Sequence, residues 1–191
     1  MKKKDIRHYY KDRRSQLTAA QIEKMDDLML IQFQKLAVET PSLLMTYAAI
    51  QQLREFDPQL ITDFCFFRNP DLQLLYPVMD ALDGKNELIA VLVNDDTTFN
   101  LNEYNIPEPI DGQDVSPSSI DMVIVPLLGF DSRGYRVGYG KGFYDRFLQQ
   151  CRPDCIKIGF SYFEPVPIIE DICQYDIPLN FCITHETIYA F

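Results

Sequence analysis

The feature that most constrains the fold of this sequence is a continuous apolar run, DMVIVPLL, at residues 121–128. A strand without alternating polar residues is typical of a sheet that is covered on both faces. Further short apolar runs are predicted to be strands, with predicted helices between several of them: SLLMTYAAI, LQLLYPV, ELIAVLV, KIGFSY and FCITHETIYAF. Strands that alternate with helices predict an α/β fold with a largely parallel sheet.

Local signals place the helices between these strands. Residues 2–16 are predicted to form a basic helix, and a second helix begins at a capping box made by Thr18 and Gln21. Asp57 is predicted to be the N-cap of a third helix. The stretch 94–120 is long, polar and contains prolines, so we expect a functional loop there.

Length and composition favour one domain, residues 1–191, in the cytoplasm. No apolar run approaches the roughly 18 residues of a membrane span, and the basic N-terminus lacks the apolar core of a signal peptide. We therefore expect no membrane association. The five cysteines are expected to be reduced thiols, although Cys151 and Cys155 leave a weak zinc site as an alternative.

Two basic segments stand out in an acidic chain. The formal net charge of −10 argues against nucleic-acid binding. Residues 1–14 nevertheless carry seven Lys or Arg and two Asp, giving +5, and residues 133–152 carry five and one, giving +4. The remainder is then −19. Either segment alone could be a solvated helix face, but together they predict that both surround one small polyanion.

The second basic segment is also rich in glycine. Residues 129–147, GFDSRGYRVGYGKGFYDRF, hold five of the eight glycines and lie between the apolar run and a predicted helix. Glycines let a backbone approach a ligand, and this position in an α/β protein commonly binds phosphates. The segment matches neither the P-loop nor the dinucleotide-binding pattern. The alternative is a glycine-rich turn that serves connectivity only.

The segment VIVPLLGFDSRGYRVGYGKGFYDRFL resembles the signature of the 5-formyltetrahydrofolate cyclo-ligase family, also called 5,10-methenyltetrahydrofolate synthetase. The resemblance extends to the K-x-x-x-R pair in the N-terminal helix, to EFD after the first strand, and to NIPEP and YDIPLN. It implies a three-layer α/β/α sandwich of the sugar-phosphate-isomerase and CoA-transferase type. It also implies an ATP- and Mg²⁺-dependent enzyme that closes 5-formyltetrahydrofolate to 5,10-methenyltetrahydrofolate and releases ADP and phosphate. A monomer is expected.

The resemblance also assigns roles to residues. Those implied to contact ATP are Lys3, Arg7, Gly134, Tyr135, Arg136, Val137, Gly138, Tyr139, Gly140, Lys141, Gly142 and Phe143. Arg136 and Lys141 are the implied catalytic cations, since phosphoryl transfer depends on neutralising charge on the transferred group. As solvated charges, Lys3 and Arg7 are expected to add little to folding stability.

The implied folate-binding residues are Arg7, Glu55, Tyr104 and Tyr144, and the implied Mg²⁺ ligands are Asp145 and Asp176. Magnesium needs few protein carboxylates, because water and phosphate oxygens complete its octahedron. Glu55 could instead belong to the first turn of the third helix. Asp145 could instead be a helix-terminus charge only.

No Ser–His or Cys–His arrangement supplies a protein nucleophile, and the implied chemistry needs none. Two other functions remain open at this stage. One is a nucleotide- or folate-binding module on the same fold that does not turn over, and the other is an isomerase or CoA-transferase-like enzyme of related architecture. The glycine-rich segment favours the cyclo-ligase over the isomerase or CoA-transferase-like enzyme, because such enzymes normally have no ATP loop.

Overall fold

The computed structural model describes residues 1–80 and 87–191. The α-helices within these ranges are α1 (Lys3–Ser15), α2 (Ala19–Lys35), α3 (Gln59–Arg68) and α4 (Phe143–Leu148). The strands within them are β1 (Leu43–Met45), β2 (Gln73–Asp80), β3 (Glu87–Val93), β4 (Phe99–Leu101), β5 (Pro107–Pro109), β6 (Gln113–Val115), β7 (Met122–Val125), β8 (Gly129–Phe130), β9 (Arg136–Val137), β10 (Ile156–Phe160), β11 (Phe181–Ile183) and β12 (Ile188–Ala190).

One large sheet has the strand order β12-β11-β10-β7-β1-β2-β3-β6. Its five central strands, from β11 to β2, run parallel to one another. The outer strands β12, β3 and β6 pair antiparallel with their neighbours, and β6 is reached from β3 only after the β4–β5 hairpin. The predicted α/β fold with a mostly parallel sheet is confirmed.

Strand β7, the continuous apolar run of the sequence, is buried along its whole length. Met122 and Ile124 face one core together with side chains of α1, α2 and α3, whereas Val123 and Val125 face a second core together with side chains of α4. Contact with apolar groups on both faces explains why the run does not alternate. Helices therefore cover both faces of the sheet, as the predicted three-layer α/β/α arrangement requires.

Helix α1 packs against the hairpin of β8 and β9 that opens the glycine-rich segment. The ring of Tyr10 is buried, and a Cβ added to Gly129 would lie 2.5 Å from it. Tyr10 also stacks on Phe163, with 5.5 Å between the ring centroids, and its hydroxyl donates to the carbonyl of Glu164. Glycine at position 129 therefore permits the close approach that brings the N-terminal charges to the glycine-rich segment.

The local predictions for the helices are largely confirmed. The basic helix begins and ends one residue inside the predicted 2–16, and the capping box of Thr18 and Gln21 is present. Helix α3 begins at Gln59 with Pro58 at the N-cap position, so Asp57 lies one residue further out than predicted. Its carboxylate nevertheless accepts a hydrogen bond from the Gln59 amide at 3.1 Å.

Two predictions for the strands and loops are corrected. The stretch 94–120 contains the β4–β5 hairpin and the edge strand β6, and is therefore not an irregular loop throughout. The hairpin tip is ordered by Asn102, whose side-chain oxygen accepts from the amides of Tyr104 and Ile106. The last apolar run, 181–191, forms two antiparallel strands rather than one.

The remaining sequence features concern membranes and cysteines. No helix in the described ranges is long and apolar enough to cross a membrane. The five cysteines are free thiols, with Cys65, Cys155 and Cys182 buried.

Candidate active site

A cavity of about 610 Å³ lies beyond the carboxyl ends of β1 and β7, where Tyr47 and Pro126 line it. In α/β folds this edge of the sheet is the usual place for a ligand. The predicted residues that line it are Lys3, Arg7, Glu55, Tyr104, Arg136, Val137, Gly138, Tyr139, Gly140, Lys141, Gly142, Phe143, Tyr144, Asp145 and Asp176. Five separated parts of the chain therefore meet at one cavity.

Gly134 and Tyr135 were predicted with this group but do not line the cavity. They form the turn of the β8–β9 hairpin, in which Gly134 has a φ of +85° and donates to the carbonyl of Asp131. A Cβ on Gly134 would lie 2.6 Å from the ring of Phe191. Gly134 thus serves the turn, and of the glycine-rich segment residues 136–145 line the cavity.

Asp131 orders this turn and was missed by the sequence reasoning. Its buried carboxylate accepts from the amides of Arg133 and Tyr135 through Oδ1, and from the Arg133 guanidinium and the Ile169 amide through Oδ2. An aspartate three residues before a glycine, directly after a buried strand, is a signal for such a turn. Asp131 supports the loop without lining the cavity.

Arg7 lies along the backbone of the glycine-rich segment. Its Nε donates to the carbonyl of Gly138 at 2.8 Å. Gly140 has a φ of +101°, and a Cβ there would lie 3.2 Å from the Arg7 guanidinium. Glycine at 140 therefore meets two needs, a left-handed backbone and room for the arginine.

Lys3 forms an ion pair with Asp176, with Nζ 2.6 and 2.5 Å from the two carboxylate oxygens. Burial alone would raise the pKa of Asp176, but hydrogen bonds from Lys3 and the Cys173 amide hold that pKa below its usual value. The backbone amide of Lys3 also donates to the Asp171 carboxylate. The expectation that Lys3 is a solvated charge is therefore corrected, because its side chain is only 17% exposed.

Arg136 and Asp145 form a second ion pair in the cavity. The guanidinium lies 3.0 Å from Asp145 Oδ1, and the arginine side chain is 4% exposed. It also donates to the carbonyl of Ile177, whose amide in turn donates to Asp145. Burial lowers the pKa of Arg136, and the charge of Asp145 opposes that effect. The pair joins the start of α4 to the chain around residue 177.

Lys141 stands across the cavity from the tip of the β4–β5 hairpin. Its Nζ lies 5.9 Å from the centroid of the Tyr104 ring, within the range of a cation–π contact. Within the described ranges Lys141 has no carboxylate partner, in contrast to Lys3 and Arg136. Its ammonium group is therefore the most available of these cations for an anionic ligand.

Glu55 is buried beside the glycine-rich segment. It follows a 3-10 turn, Gln51–Leu53, and lies outside α3, so it is not part of that helix's first turn. Its carboxylate accepts from the Ile50 amide at 3.0 Å and from the Tyr139 hydroxyl at 2.9 Å. Burial raises the pKa of Glu55, and these two hydrogen bonds partly offset the effect.

The donor set at this cavity fits a magnesium ion that is shared with phosphate oxygens. Asp145 and Asp176 both line the cavity, and each is paired with a cation. Within the described ranges no three His, Cys, Asp or Glu side chains are arranged to hold a metal ion by themselves. Magnesium commonly takes only one or two protein carboxylates and completes its shell with water and phosphate.

Comparison with known proteins gives relatives that are named 5-formyltetrahydrofolate cyclo-ligase. A protein from Mycoplasma pneumoniae named 5-formyltetrahydrofolate cyclo-ligase is 39% identical over 71 residues, which is 37% of this chain and 42% of that protein. One of the same name from Escherichia coli K12 is 32% identical over 122 residues, which is 60% of this chain and 64% of that protein. These matches span less than two thirds of each relative's length.

Solved structures of the same fold cover nearly the whole chain. A 5,10-methenyltetrahydrofolate synthetase from Mycoplasma pneumoniae superposes with a TM-score of 0.75 at 22% identity, covering 97% of this chain and 99% of that one. One from Aquifex aeolicus gives a TM-score of 0.78 at 25% identity, covering 100% and 93%. The family model described as the 5-formyltetrahydrofolate cyclo-ligase family matches residues 1–172. Because that match takes in most of the sequence and confirms the resemblance of its glycine-rich segment, the chain belongs to the 5-formyltetrahydrofolate cyclo-ligase family.

Proposed function

We propose that this chain catalyses the ATP- and Mg²⁺-dependent closure of 5-formyltetrahydrofolate to 5,10-methenyltetrahydrofolate, with release of ADP and phosphate. The observation that carries the proposal is the content of the single cavity beyond β1 and β7. It combines four cations, three carboxylates and four tyrosine rings: Lys3, Arg7, Arg136, Lys141, Glu55, Asp145, Asp176, Tyr47, Tyr104, Tyr139 and Tyr144. A nucleotide triphosphate, a divalent cation and a folate ring together need groups of these kinds.

The phosphates of ATP would lie along residues 136–143. Lys141 is available to them as a point charge, and Arg136 could grip two oxygens once its pairing with Asp145 is exchanged. Lys3 and Arg7 would extend this positive surface from α1. Phosphoryl transfer is catalysed mainly by positioning and charge neutralisation, which these four cations can supply.

Asp145 and Asp176 would hold Mg²⁺, which neutralises charge on the phosphates when it is bound. In the structure each carboxylate is paired with a cation that we assign to the nucleotide. Binding of the nucleotide with its metal would therefore exchange partners, so that cations turn to phosphate and carboxylates turn to metal. Each ligand should accordingly bind better in the presence of the other.

The folate would occupy the part of the cavity between the hairpin tip and Glu55. Tyr104 is 43% exposed at the tip, where its ring can cover a planar pterin. Glu55 already accepts two hydrogen bonds, and the remaining lone pairs of its carboxylate can accept from an aminopyrimidine. Tyr144 contributes its ring to the same region.

The reaction then needs orientation rather than a protein nucleophile. The formyl oxygen attacks the γ-phosphorus and ADP departs, which leaves a phosphorylated iminium-type carbon. N10 of the folate attacks this carbon, and phosphate leaves together with the N10 proton as the ring closes. Holding both substrates in one cavity makes the attack on the γ-phosphorus effectively intramolecular, and it orients N10 towards the formyl carbon of the same folate.

The decisive experiment is to incubate the purified protein with 5-formyltetrahydrofolate, ATP and Mg²⁺. The near-ultraviolet absorbance of the methenyl product and the release of phosphate should rise together. Asp145→Asn should raise the Mg²⁺ concentration that half-saturates the reaction, and Lys4→Ala, an exposed change on α1, should not. Binding of both substrates without product would refute catalysis and leave a non-catalytic nucleotide- or folate-binding module.

A further inference from the structure

The guanidinium of Arg14 is buried at the end of α1, whereas Lys4, Lys11 and Arg13 of the same helix are exposed. Arg14 is 2% exposed. Its Nη2 donates to the carbonyl of Leu127, just after β7, and its Nη1 lies 3.5 Å from the hydroxyl oxygen of Tyr139. Burying an arginine is costly unless its charge has partners, so this position calls for an explanation.

Tyr139 continues the contact towards Glu55. Its hydroxyl donates to the Glu55 carboxylate at 2.9 Å, and the other oxygen of that carboxylate accepts from the Ile50 amide at 3.0 Å. Arg14, Tyr139 and Glu55 therefore connect α1, the glycine-rich segment and the turn at 50–55. Tyr139 and Glu55 line the cavity, whereas Arg14 does not.

The electrostatic surroundings of Glu55 make Arg14 the important charge. The titratable groups that act on it or feel its charge are Arg14 from α1, Tyr47 after β1, Tyr139 from the glycine-rich segment and Tyr144 from α4. Among these groups only Arg14 is cationic. Burial raises the pKa of Glu55, and the charge of Arg14 opposes that rise together with the hydrogen bonds from Ile50 and Tyr139.

We propose that Arg14 is a positioning residue for this cavity, holding Tyr139 of the glycine-rich segment against the Glu55 carboxylate. Its consequence for catalysis rests on the proposed function, because Glu55 is assigned there to the folate. Arg14 suits this task better than lysine would, since a planar guanidinium can reach the Leu127 carbonyl and the Tyr139 hydroxyl at once. The charge of Arg14 favours the ionised form of Glu55, which is the form that can accept hydrogen bonds from a substrate through both oxygens.

The test compares Arg14→Gln, which removes the charge, with Arg14→Lys, which keeps it. Arg13→Gln on the exposed side of the same helix is the matched control. The titration of the Glu55 carboxyl is followed by carbon-13 NMR, with the signal assigned by its loss in Glu55→Gln. We expect Glu55 to titrate at higher pH in Arg14→Gln, with Arg14→Lys moving it less and Arg13→Gln leaving it in place.

Kinetics supply the second measurement. The acid limb of the pH profile of kcat/KM for 5-formyltetrahydrofolate should move to higher pH in Arg14→Gln. At neutral pH kcat/KM should fall on the order of tenfold or more, the scale of a misplaced contact in a site. Arg14→Lys should recover part of that loss. A residue that only supported folding would lower the melting temperature without moving the pH profile.

The outcomes separate this inference from the proposed function. If the wild-type protein forms no methenyl product, the proposed function fails, and the Glu55 titration still decides the role of Arg14. An unchanged Glu55 titration in a folded Arg14→Gln protein would overturn the inference, as would an equal change in Arg13→Gln. If Arg14→Gln does not fold, Tyr139→Phe tests the same contacts by removing only the bridging hydroxyl, and it too must raise the pH at which Glu55 titrates.

Discussion

The ion pair of Lys3 and Asp176 provides the sharpest test of the way in which the N-terminal helix is held. The two side chains are 17% and 13% exposed, and Nζ lies within 2.6 Å of both carboxylate oxygens. A charge-assisted hydrogen bond contributes about 1.5–3 kcal/mol, whereas an exposed ion pair contributes about 0.2–1 kcal/mol. Because the pair is mostly but not fully buried, we expect a coupling energy of about 1.5 kcal/mol.

This coupling is measured by a double-mutant cycle of wild type, Lys3→Ala, Asp176→Ala and the double variant. The chain has no tryptophan, so urea unfolding should be followed by far-ultraviolet circular dichroism. For a chain of this size, a loss of about 1.5 kcal/mol should lower the melting temperature by about 3–6 °C. Lys4→Ala, an exposed change one residue away, is the control and should leave stability nearly unchanged.

Two results would contradict the expected contribution of the Lys3–Asp176 ion pair to stability. One is a coupling energy below about 0.3 kcal/mol, which is within the normal error of additivity. The other is equal destabilisation by Lys3→Ala and Lys4→Ala. Either result would mean that the pair of Lys3 and Asp176 does not stabilise the position of α1, and that its buried face around Ile6 and Tyr10 contributes more.

Three further predictions concern the loop and a buried acid. Lys141→Ala should lower kcat by roughly 100-fold or more, the effect of losing one charge-stabilising donor, and a near-normal rate in the cyclisation assay would remove Lys141 from the phosphate site. Gly134→Ala should destabilise the fold by about 1–2 kcal/mol because its φ is +85° and its Cβ would meet Phe191. Urea unfolding should show part of that loss recovered in a Phe191→Ala background. Burial raises the pKa of Asp26 to about 7, so stability should fall as pH rises from about 4 to about 7. Asp26→Asn should therefore gain about 1 kcal/mol near pH 8, after allowance for partial exposure, and nothing near pH 3, as unfolding at the two pH values would report.

Much of the fold could be predicted because the signals are local. The apolar run 121–128 specified a strand buried on both faces, and Thr18 with Gln21 specified the start of α2. The alternation of strands and helices was enough for the mostly parallel sheet. The edge strand β6 and the β4–β5 hairpin were harder to predict, because they lie in a polar stretch where hydrophobic residues follow no clear period. Their strands are short, and pairing with neighbours rather than composition defines them.

The types of residue in the candidate site could be predicted from the sequence, but the side chains with which each of them pairs could not. Glycine at 140 and 142 and lysine at 141 indicated a close-approach loop, and a resemblance along the chain supplied the distant members of the set. The sequence could not distinguish Gly134, which turns a hairpin beside Phe191, from the glycines that face the cavity. Both kinds of position require glycine for the same reasons, a left-handed backbone or a close neighbour. The residue type in the sequence is therefore identical and does not tell them apart.

The elements, the clustered charges and a loop that can approach an anion were all predictable from the amino-acid sequence alone. The pairing of the charges was not, because it depends on how distant segments pack together. Lys3 meets Asp176 across 173 positions, Tyr139 meets Glu55 across 84, and Arg14 reaches Leu127 across 113. Helical and strand periodicity report which face of an element is apolar, and they carry no information about which distant polar group will lie opposite. That choice is made when the packed core fixes α1 over the β8–β9 hairpin, because burying Arg14 and Glu55 is tolerable only where each finds its partner.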